Sequence, residues 1–339
     1  KFSVSPLLHP LKMKISLLLL PVLCLLSLLV GSVHISPAEV WAALMGSSDE
    51  TVRYIVTESR LPQMCTALLA GAALGVSGLV MQTLFSNPLA DPSLLGVNSG
   101  ASLGAAIALL TFGGSFALGG AALSGVLFTV GAAFVGACAV IALIALCSRW
   151  LTSNLSLLVA GVMLSFIISS VISLLSFYAT SEGVRSFVVW GLGDFSGVSS
   201  SRLWLMSILV IVPVWGVRLC ATSMNALLLG ADYATNLGVN VKRVRTLLLI
   251  LTGLLTAVVT ALCGPISFIG LAVPHVSRML LRTADHRKLL PAVFVMGADV
   301  ALLSLILSHL PGEAGTLPIA AITPLLGAPV VLYILVKRR

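Results

Sequence analysis

Apolar residues in this chain gather in long blocks, separated by short polar or Gly/Pro-containing breaks. A helix needs ~20 mostly apolar residues to cross a bilayer. Nine blocks approach or exceed that length: 15–33, 62–84, 94–112, 117–147, 155–178, 203–218, 246–263, 289–309 and 318–336. A tenth, 265–281, is shorter and carries Pro265, Gly270 and Pro274. The pattern predicts an all-α polytopic membrane protein, ten transmembrane helices in a single domain over 1–339. Lys12 and Lys14 give the first block the look of a signal peptide. Its apolar run is too long for one and no A-x-A site follows, so it reads as a span.

Composition removes whole classes of function. Of 339 residues, 58% are hydrophobic and 9% charged, with a mean hydropathy of +1.13. Soluble domains carry about 25% charged residues, so a soluble enzyme, a nucleic-acid module and a disordered chain are excluded. The six cysteines (Cys24, Cys65, Cys138, Cys147, Cys220, Cys263) are scattered and form no CxxC pair. Neither a disulfide framework nor a metal site is expected.

The net charge of +8 is explained by position. Ten spans place both termini on one side, and that side then holds 15 of the 19 basic residues. The other side keeps Arg53, Arg60, Arg185 and Arg202 against Glu39, Asp49, Glu50, Glu58, Glu182, Asp194 and Glu313. The positive-inside rule makes both termini cytoplasmic. The excess charge reflects topology, and no nucleic acid is expected as a partner. The outer loop 34–61 opens with Ser36-Pro37-Ala38-Glu39, a capping box with Pro at the first helical position, which predicts a short surface helix. The inner loop 219–245 is the other segment able to meet a partner.

Small and polar residues recur at helical spacing inside the blocks. Gly71, Gly75, Gly78 and Gln82 share a face of the second span, read as close helix packing. Gly161, Ser165, Ser169, Ser173 and Ser176 form a stripe down the fifth, which suits either packing or the wall of a solute pathway. Asp299 and His275 are the ionisable residues at membrane depth, either buried packing groups or functional ones. One Asp makes a poor proton or sodium relay, so the energy source is expected elsewhere. None of the six lysines follows a glycine, so the chain has no phosphate-binding loop of its own. An ATP-driven protein of this kind needs a separate ATPase, and 230–238 could form a short helix for that contact. Gly75-Val76-Ser77-Gly78 matches the short pattern of intramembrane serine proteases, a weak signal in a chain with 30 glycines.

Longer motifs carry a family resemblance. Gly264-Pro265-Ile266-Ser267-Phe268-Ile269-Gly270-Leu271-Ala272-Val273-Pro274-His275 with Arg278 closely resembles the FecCD-type permeases. These are the membrane subunits of ATP-driven importers for iron-siderophores, haem and cobalamin. Further matching segments are Arg60-Leu61-Pro62, Asn87-Pro88-Leu89-Ala90-Asp91-Pro92, Leu229-Gly230, Leu237-Gly238-Val239-Asn240, Asp285-His286-Arg287, Gly297-Ala298-Asp299 and Gly327-Ala328-Pro329. The likeness runs in order along nearly the whole chain.

The resemblance implies a type II ABC importer permease in the bacterial cytoplasmic membrane. It would pair with a second copy around a central path, with two cytoplasmic ATPase subunits below and a substrate-binding protein outside. ATP and Mg would belong to the ATPase, leaving no cofactor on this chain. Spans two to five and seven to ten would form an inverted repeat. The resemblance assigns Gly230, Asp232, Leu237 and Gly238 to ATPase coupling. It places Asn87, Pro88, Leu89, Ser153 and Asn154 at the cytoplasmic gate, and Ser165, Ser169, Ser173 and Ser176 with a helix near 184–190 along the path. Two outer arginines of the family are missing: Gln63 stands for one, and Leu302, Leu303 and Leu305 offer none for the other. Docking of a binding protein is then expected to lean on Arg60, with Arg53 or Arg202 compensating. The rival readings are a self-sufficient secondary carrier or channel, and an intramembrane hydrolase acting through Ser77.

Overall fold

The structure, a computed structural model, describes residues 8–114, 116–118, 121–123, 125–151, 153–312 and 315–337. Expectations on Lys1, Glu313, Arg338 and Arg339 lie outside the described residues, as do those on the side chains of Lys12, Lys14, Leu94, Arg149, Asn154 and Lys337.

Helix α1 (Leu8–Leu29) leads to α2 (Pro37–Leu44), which starts as the capping box predicts. Ser36 Oγ accepts from the Glu39 backbone N–H at 3.3 Å, and Glu39 Oε2 accepts from the Ser36 N–H at 2.8 Å. These contacts hold the Glu39 carboxyl below its ordinary pKa, the bond from the Ser36 backbone contributing most. Val40 and Ala43 of α2 pack with Leu28, Ile35 and Val56 in a small cluster separate from the main core.

The outer loop is shorter than the hydropathy suggests. Helix α3 (Glu50–Tyr54) runs through a widened π-type stretch, Ile55–Arg60, into α4 (Leu61–Leu84), one helical stretch of 35 residues. The polar residues of 50–60 hid this continuity, although no breaker lies among them. The widened turns precede Pro62, which has no N–H to offer the Glu58 carbonyl.

A 3-10 turn (Pro92–Leu95) precedes α5 (Val97–Ala106), and a second π-type stretch, Ile107–Thr111, follows it. The fourth block then departs from expectation. Residues Phe116–Leu118 (β1) pair antiparallel with Ala121–Leu123 (β2), and α6 (Gly125–Trp150) begins only afterwards. Gly119-Gly120 between two apolar triplets is a hairpin signature that the long apolar run concealed.

The remaining helices are α7 (Asn154–Tyr178), α8 (Ser181–Gly191), α9 (Ser200–Leu219), α10 (Ala221–Leu227) and α11 (Ala231–Asn236). They continue with α12 (Val241–Cys263), α13 (Ile269–Leu281), α14 (His286–Ser308) and α15 (Ile319–Lys337). The short block 265–281 thus becomes helical at Ile269, after Gly264 and Phe268 turn through the left-handed region (φ 75° and 68°). Among the described residues, 6 helical stretches are long and apolar enough to cross a membrane, and four more are apolar but shorter.

Helix α4 is the centre of the molecule: 83% of the apolar window in its stretch is buried, against 17% for α7. It packs on α12, α13 and α14. The glycine stripe is the contact surface. A Cβ on Gly78 would sit 1.8 Å from the Gly270 carbonyl oxygen, and one on Gly75 would lie 2.9 Å from that of Val293. Gly100 of α5 and Gly136 of α6 make a second such approach. Lipid supplies no hydrophobic drive between helices, so close backbone contact through small residues takes its place.

Candidate functional site: a polar turn at the junction of two helix breaks

The two interruptions of the apolar pattern meet in space. After α4 ends, Ser86 adopts φ 47° and the Asn87 N–H donates to the Gln82 carbonyl at 3.2 Å. Asn87 Oδ1 accepts from the Leu89 N–H at 2.9 Å, and the Asn87 carbonyl accepts from the Ala90 N–H at 3.1 Å. This is an Asx-type turn, with the side chain standing in for a backbone partner. Asp91 then caps the 3-10 turn, its Oδ1 accepting from the Ser93 N–H at 2.9 Å and from Ser93 Oγ at 2.6 Å. From the other break, a Cβ on Gly270 would lie 3.0 Å from Asp91 Oδ2 and 3.2 Å from Pro92 Cδ. His275, buried on α13, donates from Nε2 to the Pro88 carbonyl at 2.7 Å. The turn therefore stands on α13, and Leu89 at its tip is 41% exposed.

Ser153 caps α7 by accepting from the Ser156 N–H at 3.5 Å and is itself exposed. Helix α7 packs on the 3-10 turn and on α5. Ser165 lies against the Gly96 turn, where a Cβ would come within 3.0 Å of its Oγ. Ser169 and Ser173 are exposed and Ser176 is half-buried. Ser165, Ser173 and Ser176 each donate to the carbonyl four residues back at 2.9 Å, which muffles their polarity. The stripe runs along the border between the buried face of α7 and an uncovered apolar face with Phe166, Ile167 and Leu174.

At the same end, α10 and α11 form two short helices where one was expected. Gly230 (φ 107°) separates them and Gly238 (φ 83°) follows α11. Ala234 is buried, while Asp232, Leu229, Tyr233 and Leu237 are exposed, giving α11 an unpartnered apolar surface beside one acid. Helix α10 is anchored on the start of α14. Asn225 Nδ2 donates to Asp285 Oδ1 at 2.7 Å, the His286 N–H donates to Asn225 Oδ1 at 2.8 Å, and an Arg287 guanidinium nitrogen donates to Thr222 Oγ1 at 3.0 Å. The Asn225 amide, then the Arg287 N–H and the nearby Lys288 and Arg287 charges, hold the Asp285 carboxyl below its ordinary pKa. Asn225, Thr222 and Thr83 were not singled out in the sequence. They are ordinary polar residues near helix ends, and only the fold gives them partners.

The opposite end carries a cavity of about 930 Å³ between α6, α8, the π-type stretch after α5 and the end of α12. Glu182, Arg185, Trp190 and Asp194 line it. The helix expected near 184–190 is α8, so it lies at this mouth.

Arg60 does not fit its expected role. It is only 6% exposed and turns inward. It donates to the Leu28 carbonyl at 2.6 Å, to Leu29 at 2.9 Å and to that of Val33, tying off the end of α1. Arg53 is exposed and Arg202 half-buried, so of the three arginines expected to meet a binding protein these two remain outward. Ser77 is fully buried, its hydroxyl directed at the Thr252 carbonyl at 3.5 Å, which places it in the α4–α12 packing. Asp299 is likewise buried, on α14, which packs against α1 and α4.

A polytopic helical body with interrupted spans, a polar turn at their junction and a short exposed helix at the same end is the architecture of a membrane permease. The chain belongs to the FecCD transport family, whose description it matches over residues 18–337. It is 39% identical over 325 residues to the vitamin B12 import system permease protein BtuC of Klebsiella pneumoniae, spanning 95% of this chain and 92% of that one. The protein of the same name from Escherichia coli is 40% identical over 320 residues, 93% of this chain and 91% of that one. Among solved structures, an inward-facing metal-chelate type ABC transporter superposes with a TM-score of 0.84 at 30% identity, covering 98% of this chain and 100% of that one. PsaBC from Streptococcus pneumoniae shares the fold alone, with a TM-score of 0.55 at 13% identity. The chain is thus a transport subunit of an ABC importer, in a class whose ATPase is a separate subunit.

Proposed function

We propose that this chain forms half of a two-copy conduit that carries a cobalamin-type or iron-chelate solute inward across a bacterial cytoplasmic membrane. The six long apolar stretches and four shorter ones together make ten spans, with both termini cytoplasmic by the distribution of basic residues. The breaks at 87–96 and 264–270, which abut, support an inverted repeat of spans two to five and seven to ten.

The observation that carries the reading is α7. A helix with a muted serine edge and an uncovered apolar face suits one wall of a path completed by a second copy. Weakly polar hydroxyls neither trap a large solute nor repel it. The turn at Asn87–Leu89, with Ser153 and Asn154 at the start of α7, closes the inner end. The exposed residues around Gly230, Asp232, Leu237 and Gly238 dock the ATPase, and Arg53 and Arg202 face an acidic patch on the binding protein. The chelate class rests on the names of the relatives, vitamin B12 for two of them and a metal chelate for the solved structure.

The test is uptake into proteoliposomes holding the permease with its ATPase and binding protein. Labelled cyanocobalamin, haem and a ferric hydroxamate are offered in turn. ATP-dependent accumulation of one of them is expected. Accumulation without the ATPase would establish a self-sufficient carrier instead.

A further inference from the structure

A polar joint, buried at His286 and Thr83, connects the docking segment to the gate turn. Its orientation can be worked out from the hydrogen bonds. Asp285 can only accept, so the Asn225 group facing it at 2.7 Å is the amide nitrogen. Asn225 Oδ1 therefore faces His286 and accepts both its backbone N–H and its Nδ1–H, each at 2.8 Å. In the neutral ring, Nε2 is left to accept from the Thr83 hydroxyl at 2.7 Å, the shorter of that hydroxyl's two contacts, the other being the Leu79 carbonyl at 2.9 Å. His286 is 1% exposed and Thr83 3%.

Thr83 stands on the last turn of α4, and its neighbour Gln82 supplies the carbonyl that receives the Asn87 N–H. Gln82 is fixed in turn, its Oε1 accepting from Arg278 and its Nε2 donating to the Leu271 carbonyl at 3.2 Å. The turn at 87–89 is thus held from two sides: by His275 of α13, and through α4 and His286 by Asn225 of α10. Apolar side chains could fill the same space without the desolvation that a half-buried amide and a buried imidazole bring. What a fully satisfied polar chain adds is direction: each bond constrains the angle as well as the distance of its neighbour.

We propose that Asn225 and His286 are positioning residues for transport, transmitting displacement of the α10–α11 segment to the gate turn at Asn87–Leu89. The inference rests on the permease reading and names the side chains through which it operates.

The experiment places a reporter cysteine at Leu89 in the assembled complex with the ATPase of the same importer. Labelling by a membrane-impermeant maleimide is timed with and without ATP and vanadate, after subtracting the signal of the parent protein. In the parent background the rate is expected to change about tenfold on nucleotide trapping, a coupling size within reach of such networks. H286L and N225L are each expected to assemble and hydrolyse ATP while the nucleotide effect on Leu89→Cys falls below about twofold. H286Q, which keeps a donor and an acceptor, restores part of it. The pair is expected to be no worse than either single change, as for members of one chain of bonds. If H286L does not assemble, T83V reads the same joint from the α4 side. A full nucleotide response in T83V and N225L would overturn the joint while leaving the permease reading intact. No response to nucleotide in the parent complex would overturn both.

Discussion

Gly71 of α4 and Gly297 of α14 face each other so closely that a Cβ on either would fall 2.1 or 2.2 Å from the other's carbonyl oxygen. Backbone, not a flexible side chain, stands in the way, so the two helices would have to separate to admit even a methyl group. Gly71→Val or Gly297→Val is expected to destabilise the fold by about 3 kcal/mol, at the upper end of overpacking costs. Gly131 of α6 meets nothing within 4 Å. Gly131→Ala is expected to be neutral or stabilising by up to about 1 kcal/mol, from helix propensity alone. Thermal unfolding in detergent compares the three.

Arg60 ties three carbonyls at the end of α1 to the stretch leading into α4. Arg60→Met would leave them without their donor, at an expected cost of about 1–3 kcal/mol. Lysine has no planar fork to span them, so Arg60→Lys should recover only part. Binding-protein capture should follow Arg53→Glu and Arg202→Glu instead. A docking loss in Arg60→Met with unchanged thermal stability would reverse this assignment.

Tyr233 and Leu237 are more than half exposed on and beside α11. Tyr233→Ala should weaken association with the ATPase by about 1–2 kcal/mol, the scale of an aromatic anchor at an interface. Co-purification at graded detergent concentrations measures it. A variant in the Asn225–His286 joint should leave that association alone, which separates docking from transmission.

The Asp285 carboxyl is held below its ordinary pKa, first by the Asn225 amide and then by the Arg287 N–H. A depressed carboxyl stabilises above its unfolded pKa, and that contribution is lost as pH falls through the folded value. The α10 anchorage should therefore hold at neutral pH and loosen only below the ordinary aspartate range. Pepsin cleavage within 219–240 is expected to rise as pH drops from ~4 to ~2, at and below the reference carboxyl value. Asp285→Asn removes the charge and should flatten that dependence.

Much of this protein was legible in its residues because a bilayer imposes a harsh rule. Every backbone polar group in lipid must bond within its own helix, so long apolar blocks can be little else. The blocks became helices, the capping box at Ser36–Glu39 formed, and the glycines of the second span proved to be a packing face. The breaks near Asn87 and Gly264 were visible as well, because Pro and Gly interrupt helices locally.

Other features depended on what lies opposite. A run of apolar residues says nothing about where helix gives way to hairpin, so β1 and β2 passed for the start of a span. Arg60 looked like an outer charge because neither its neighbours in sequence nor its hydropathy reveal the end of α1, some 30 residues earlier. Asn225, Thr83 and His286 come from three helices, and no spacing rule brings them together. Local sequence determined the spans and their interruptions, since those answer to the solvent around each segment. The tertiary structure decided which polar groups meet, because burial leaves each of them only the partners that packing supplies.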